Sequence, residues 1–194
     1  MISYSYNGVI SVTFNEFVNE LESNNICMED LPQLLVKELT EKNLKIATAE
    51  SCTGGLISKM ITDVSGASAV FDCGVCSYAN EIKEKVLGVK GEDLRNFGAV
   101  SEKVAMQMAE GVRKLSGADI GISTTGIAGP TGGSELKPVG TVYIGVSTIS
   151  KNYVLLANLA LKEVAKNATR DKIRQSSAFL AIYCGFKAAK AEKY

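Results

Sequence analysis

The chain has 194 residues, a length that suits one domain with a small appendage. Its 46% hydrophobic content fills a sizeable core, and Lys plus Arg equals Asp plus Glu at 21 each, for a net charge of zero; a disordered chain and a broadly basic nucleic-acid surface are both disfavoured. No apolar run approaches the roughly 20 residues of a membrane-spanning helix, and the start, MISYSYNGVISVTF, lacks the basic-then-apolar order of a signal peptide.

In chain order, residues 2–13 alternate around Asn7-Gly8, which predicts a hairpin. Phe14, Phe17, Val18 and Leu21 follow at helical spacing until Asn24-Asn25 breaks the pattern. Residues 1–27 therefore read as an N-terminal hairpin and helix, and residues 28–194 as the main domain. There, LPQLLVKELTEKN reads as a helix, LKIATA as a strand, and 55–64 as a helix with Leu56, Met60, Ile61 and Val64 on one face. AVFDCGVCSYA (69–79) reads as a strand and NEIKEKVLGV as a short helix whose buried face is marked by Ile82, Val86 and Leu87. A helix over 101–117 follows, with Val104, Met108, Val112 and Leu115 inward, Ser101 as cap and Gly117 as stop. ADIGISTT (118–125) is a strand running into the loop GIAGPTGGSELKP; GTVYIGVST and YVLLANLAL form an antiparallel pair, and a last helix spans about 169–191. Strands alternating with helices and closing on a strand pair predict an α/β domain, a mixed β-sheet flanked by helices.

The chain contains no histidine, so no Ser-His or Cys-His pair and no histidine metal site can form within it. An activated hydroxyl or thiol must use Lys, Asp, Glu or Tyr as its proton acceptor. The five cysteines, Cys27, Cys52, Cys73, Cys76 and Cys184, are odd in number and irregularly spaced; they read as reduced thiols of a cytoplasmic protein. Cys73 and Cys76 lie three apart on a strand and so face opposite ways, which speaks against a metal or redox pair.

TAESCTGG (48–55) packs hydroxyls, a thiol and two glycines into a strand-to-helix junction. Ligands gather at the carboxyl ends of strands in open α/β sheets, and a helix N-terminus there offers N–H groups to an anion. The same residues also suit a capped turn, and both readings stand. In SYANEIK (77–83), Asn80 as the cap would put Lys83 in the first helical turn, against the dipole, where its pKa is depressed; a solvated surface lysine is the plainer reading. STTGIAGPTGG (123–133) is neither a Walker A loop nor G-x-G-x-x-G, and reads equally as an anion nest or a surface loop. Arg170 and Arg174 share one helix face, placed either to hold a phosphate or to flank Asp171.

AESCTGG (49–55), GVCSYANEIKEKVLGV (74–89), GAVSEKVAMQMAEGV (98–112) and TGIAGPTGGSELKPVGTVYIGV (125–146) together resemble the CinA C-terminal-domain family over roughly residues 30–185. The characterised enzymes of that family are nicotinamide-mononucleotide amidases. The resemblance implies a compact α/β domain, often dimeric, that deamidates nicotinamide mononucleotide to nicotinate mononucleotide and ammonia. It further implies Ser51 as nucleophile, Lys83 as its partner in a serine–lysine dyad, and Tyr78 beside them. Thr53, Gly54, Gly55, Asn80, Thr125, Gly126, Gly129 and Arg170 are the implied substrate contacts. No metal, cofactor, nucleic acid or membrane is implied; the partners are the pyridine mononucleotide and a second copy of the chain. A non-catalytic nucleotide-binding module and a hydrolase using Cys52 are the competing expectations.

Overall fold

A computed structural model describes residues 10–159 and 169–192. The strands are β1 (Ile10–Thr13), β2 (Ile46–Glu50), β3 (Phe71–Cys76), β4 (Ile120–Gly126), β5 (Thr141–Ser147) and β6 (Asn152–Asn158). The helices are α1 (Phe14–Ser23), α2 (Leu31–Glu41), α3 (Leu56–Thr62), α4 (Asn80–Leu87), α5 (Gly91–Phe97), α6 (Glu102–Ser116) and α7 (Arg170–Ala191). All strands join one sheet in the order β1-β6-β5-β4-β2-β3. It is mixed as expected: β2 runs parallel to β3 and β4, β1 is parallel to β6, and β4, β5 and β6 pair antiparallel.

Two helical layers cover the sheet. Leu35, Leu39, Ile57, Ile61, Leu180 and Ile182 of α2, α3 and α7 pack with Ile46, Ile120 and Ile122 on one face. On the other, Val104, Met108 and Val112 of α6 pack with Ala47, Ala49, Leu87 and Leu94. β2 is therefore buried on both sides, which is why its sequence reads as a short apolar run rather than an alternation.

The N-terminal helix starts at a capping box: Thr13 Oγ1 accepts from Glu16 N at 3.2 Å, and Glu16 Oε2 accepts from Thr13 N at 2.7 Å. Its Phe17 and Leu21 enter the first core, Phe17 lying 5.6 Å from the Tyr183 ring of α7. The first arm of the expected hairpin lies outside the described residues; Ile10–Thr13 is a strand, added to the sheet edge in parallel beside β6.

Two local expectations need correction, and one helix, α5, was not anticipated. Leu115 does not join the inward stripe of α6 but is 54% exposed, three residues beyond Val112, the last buried position of that helix. The short helix α5 carries one buried residue, Leu94, and one inward contact leaves no periodicity to read. The inward face of α4 is shifted by one position: Leu87 is buried as expected, but Ile82 and Val86 are each 38% exposed and Lys83 is buried in their place.

Candidate active site

The site begins where β2 ends. Ile46 packs with the α3–α7 layer while Ala47 and Ala49 pack with the α4–α6 layer; strand alternation then turns Ser51 toward α4. Glu50 points the other way, fully buried beneath the start of α3. Its carboxyl oxygens accept from Gly55 N at 2.9 Å, Ile57 N at 3.1 Å, Ser58 N at 2.8 Å and Ser58 Oγ at 2.7 Å. Those N–H groups are the open donors of a helix N-terminus, so the expected free anion site at this helix is already filled by the protein. The N–H groups of Cys52, Thr53 and Gly54 find no acceptor among the described residues. Gly54 and Gly55 have φ of +60° and +93°, which is why the bend after Ser51 takes two glycines in succession.

Lys83 reaches this bend from α4. Its Nζ lies 3.2 Å from Ser51 Oγ and donates to the carbonyls of Ser77 at 2.6 Å and Tyr78 at 3.2 Å. Two carbonyls thus fix two N–H bonds, and the remaining tetrahedral position faces the half-buried Ser51 hydroxyl. At 1% exposure, burial holds the Lys83 ammonium below the usual lysine range, with Cys52 and Glu81 pulling weakly the other way. The lowering thus comes from desolvation. Asn80 does not cap: Ala79 is the cap residue, makes no side-chain bond, and leaves Asn80 as the first helical residue, exposed.

Strand register places further groups beside the pair. Glu50 lies level with Cys76 on β3 and with Thr124 on β4; Ser51 N donates to Thr124 O at 3.0 Å and Ser77 N to Glu50 O at 2.9 Å. These bonds carry the ladders one residue further, so Thr125, Ser51 and Ser77 form a row of hydroxyls on one face at the carboxyl ends of adjacent strands. The Thr125 hydroxyl donates to Ala99 O at 2.8 Å. Thr53 turns to the opposite face, its hydroxyl 2.7 Å from that of Thr124.

Two arginines of α7 tie the rim together. Arg174 donates from Nε to Cys52 O at 3.2 Å and from Nη2 to Thr53 O at 2.7 Å, pinning the bend from outside. Arg170 donates from Nη1 to Gly129 O at 2.9 Å and from Nη2 to the Tyr78 hydroxyl at 3.1 Å. It thereby joins the glycine loop to the segment before α4. Tyr78 is 68% exposed, so its ring stands at the mouth of the site. Gly126 closes β4 opposite Val142, at the base of that loop.

Cys52, adjacent to Ser51, is buried and its thiol is pushed up to about 12, chiefly by desolvation. A thiol held protonated is a poor nucleophile. Cys73 and Cys76 alternate in burial along β3, as strand geometry requires. Sequence reasoning missed Glu50, Ser77, Thr124 and the clamp made by Arg174. Glu50 carried a legible sign, an acidic residue closing an otherwise apolar strand.

A mixed α/β sheet thus presents a half-buried serine beside a buried lysine at the carboxyl ends of its inner strands. The chain belongs to the CinA C-terminal domain family, whose model matches residues 28–185. It is 50% identical over 154 residues to a putative competence-damage inducible protein of Thermoanaerobacter pseudethanolicus, a match covering 79% of this chain and 36% of that protein. It is 48% identical over 154 residues to a CinA-like protein of Kosmotoga olearia, covering 79% and 36%. The chain spans about a third of the length of the curated relatives it matches. Among solved structures it resembles the competence/damage inducible protein CihA of Agrobacterium tumefaciens, with a TM-score of 0.75 and 38% identity over 84% of this chain and 95% of that one. No described helix is long and apolar enough to cross a membrane.

Proposed function

We propose that the chain is an amidohydrolase that deamidates nicotinamide mononucleotide through Ser51 and Lys83. The observation that carries this reading is the buried Lys83 amine 3.2 Å from Ser51 Oγ, in a chain without histidine. Neutral Lys83 takes the Ser51 proton, and Ser51 Oγ attacks the ring carboxamide carbonyl, giving a tetrahedral intermediate. The N–H groups of Cys52, Thr53 and Gly54 are the donors left over by Glu50, and they receive the oxyanion, at roughly 3 to 4 kcal/mol per well-placed donor. Ammonia leaves, water enters, and the acyl-enzyme is hydrolysed to nicotinate mononucleotide. Arg170, the Gly129 loop and Tyr78 form the side of the site that receives the ribose 5′-phosphate, Arg170 supplying the positive charge. The family resemblance supports the choice of substrate.

The test is ammonia release from nicotinamide mononucleotide by the purified chain. Wild-type protein is expected to release ammonia and nicotinate mononucleotide in equal amounts, and Cys52→Ala to keep at least a third of that activity. Binding without ammonia would leave a nucleotide-binding module instead. Activity lost in Cys52→Ala, with the protein still folded, would return the role of nucleophile to the thiol.

A further inference from the structure

Among the described residues, two buried side-chain polar atoms have no hydrogen-bond partner, and one of them, Ser77 Oγ, lies at this site. Ser77 is completely buried. Leaving a buried hydroxyl unpaired costs about 1–3 kcal/mol, and such groups in native proteins call for a reason. The position of this one is specific. Register sets Ser77 beside Ser51 on the neighbouring strand, at the roughly 4.8 Å strand spacing. Both face the α4 layer, since Cys73 and Val75, two and four residues earlier on β3, pack there. The Ser77 carbonyl is also the shortest contact of Lys83 Nζ, at 2.6 Å. The base is therefore tethered by the main chain of the residue whose side chain is left unpaired.

Resting on the amidase reading above, we propose that Ser77 is a third catalytic residue, a proton relay from Lys83 to the departing nitrogen. Lys83 is held by two carbonyls with its remaining position directed at Ser51 Oγ. After Ser51 attacks, that oxygen is bonded to carbon and the proton resides on Lys83. The leaving nitrogen lies one bond further away, beyond an amine that its carbonyl tethers keep from following. A hydroxyl both accepts and donates, and rotation about one side-chain bond swings Ser77 Oγ among its staggered positions. In the relay, Lys83 Nζ–H passes its proton to Ser77 Oγ while the Ser77 O–H proton moves to the carboxamide nitrogen. The C–N bond breaks with its electron pair on nitrogen, ammonia departs, and Lys83 is again neutral. In deacylation Lys83, neutral again, takes the proton of the attacking water itself, so the relay serves only the departure of the nitrogen.

The experiment compares wild type with Ser77→Ala on two substrates: nicotinamide mononucleotide, and the 4-nitrophenyl ester of nicotinate mononucleotide, whose leaving group departs without a proton. Ser77→Ala is expected to lower kcat on the amide about 100-fold, the scale of a general acid–base contribution, with KM within threefold. Turnover of the ester stays within threefold, and the melting temperature is unchanged or higher because an unpaired buried hydroxyl has been removed. Amide kcat within threefold of wild type overturns the relay, and so does an equal loss on amide and ester, which marks a purely structural role. Wild type releasing no ammonia overturns the amidase reading itself and the relay with it, a failure seen before any Ser77 variant is made.

Discussion

Replacing Lys83 with methionine is expected to lower ammonia release from nicotinamide mononucleotide by about 1000-fold or more, the loss that follows from removing the base of a nucleophilic pair. Methionine retains the apolar length of a side chain that is 1% exposed, so the fold survives the change and the loss is chemical. Ser51→Ala gives a loss of similar size, and the double variant is little worse than either single one, because the two groups act as a unit. Lys83→Met retaining more than a tenth of wild-type activity would remove the amine from the mechanism. The pH dependence has a definite sign. Burial lowers the Lys83 pKa from the ordinary value of 10.5, and the neutral amine is the active form, so wild-type activity rises with pH and reaches its plateau below 10.5. The same shift links to stability. Between the lowered folded value and 10.5 the unfolded chain binds more protons, so stability rises with pH across that window. Lys83→Met should lack that rise.

Replacing Glu50 with alanine is expected to give the largest loss of stability. One carboxyl group satisfies the N–H groups of Gly55, Ile57 and Ser58 and the Ser58 hydroxyl, and all four donors lose their acceptor together. Unsatisfied buried donors cost about 1–3 kcal/mol each. Even with partial relaxation, a loss of about 4 kcal/mol follows, which lowers the melting temperature of a chain this size by roughly 10 °C. Glu50→Gln recovers only part, because its amide NH2 turns donor against donor. Thermal unfolding of both variants checks this, and a melting point within 3 °C of wild type in Glu50→Ala would contradict it. Activity falls as well, since the bend that carries Ser51 is held to α3 through this carboxyl group.

The mixed sheet was legible because local patterns agreed with it: β2 reads as a short apolar run and α6 as an apolar stripe ending at Gly117. Ser51 and Lys83 emerged from the missing histidine, their places near element ends and the family resemblance. The orientation of α4 did not. Ile82 and Val86 are spaced as an inward pair, yet so are Lys83 and Leu87, and burial of a lysine stem defeats a rule that sends charge outward. Asn80 is a favoured cap by type, but the carbonyls of Ser77 and Tyr78 just before it are committed to Lys83, a tertiary demand outside any cap rule. Ser77 was invisible for a different reason. Its nearness to Ser51 is a matter of strand register between segments 26 positions apart in the chain, and an unpaired atom has no signature in one dimension.

The backbone bonds that extend the ladders past β2 and β3 also set a timescale. Ser51 N is tied to Thr124 O and Ser77 N to Glu50 O, and β2 lies in the interior of the sheet between β3 and β4. The Ser51 amide proton meets solvent only in openings that separate the inner strands β2 and β4, whereas that of Ser77, on the continuation of the edge strand β3, is released when that edge opens. In hydrogen exchange the Ser51 amide groups with those of Ala49 and Ile122. Ser51, although its side chain is half-exposed, is held by its main chain to the interior of the sheet.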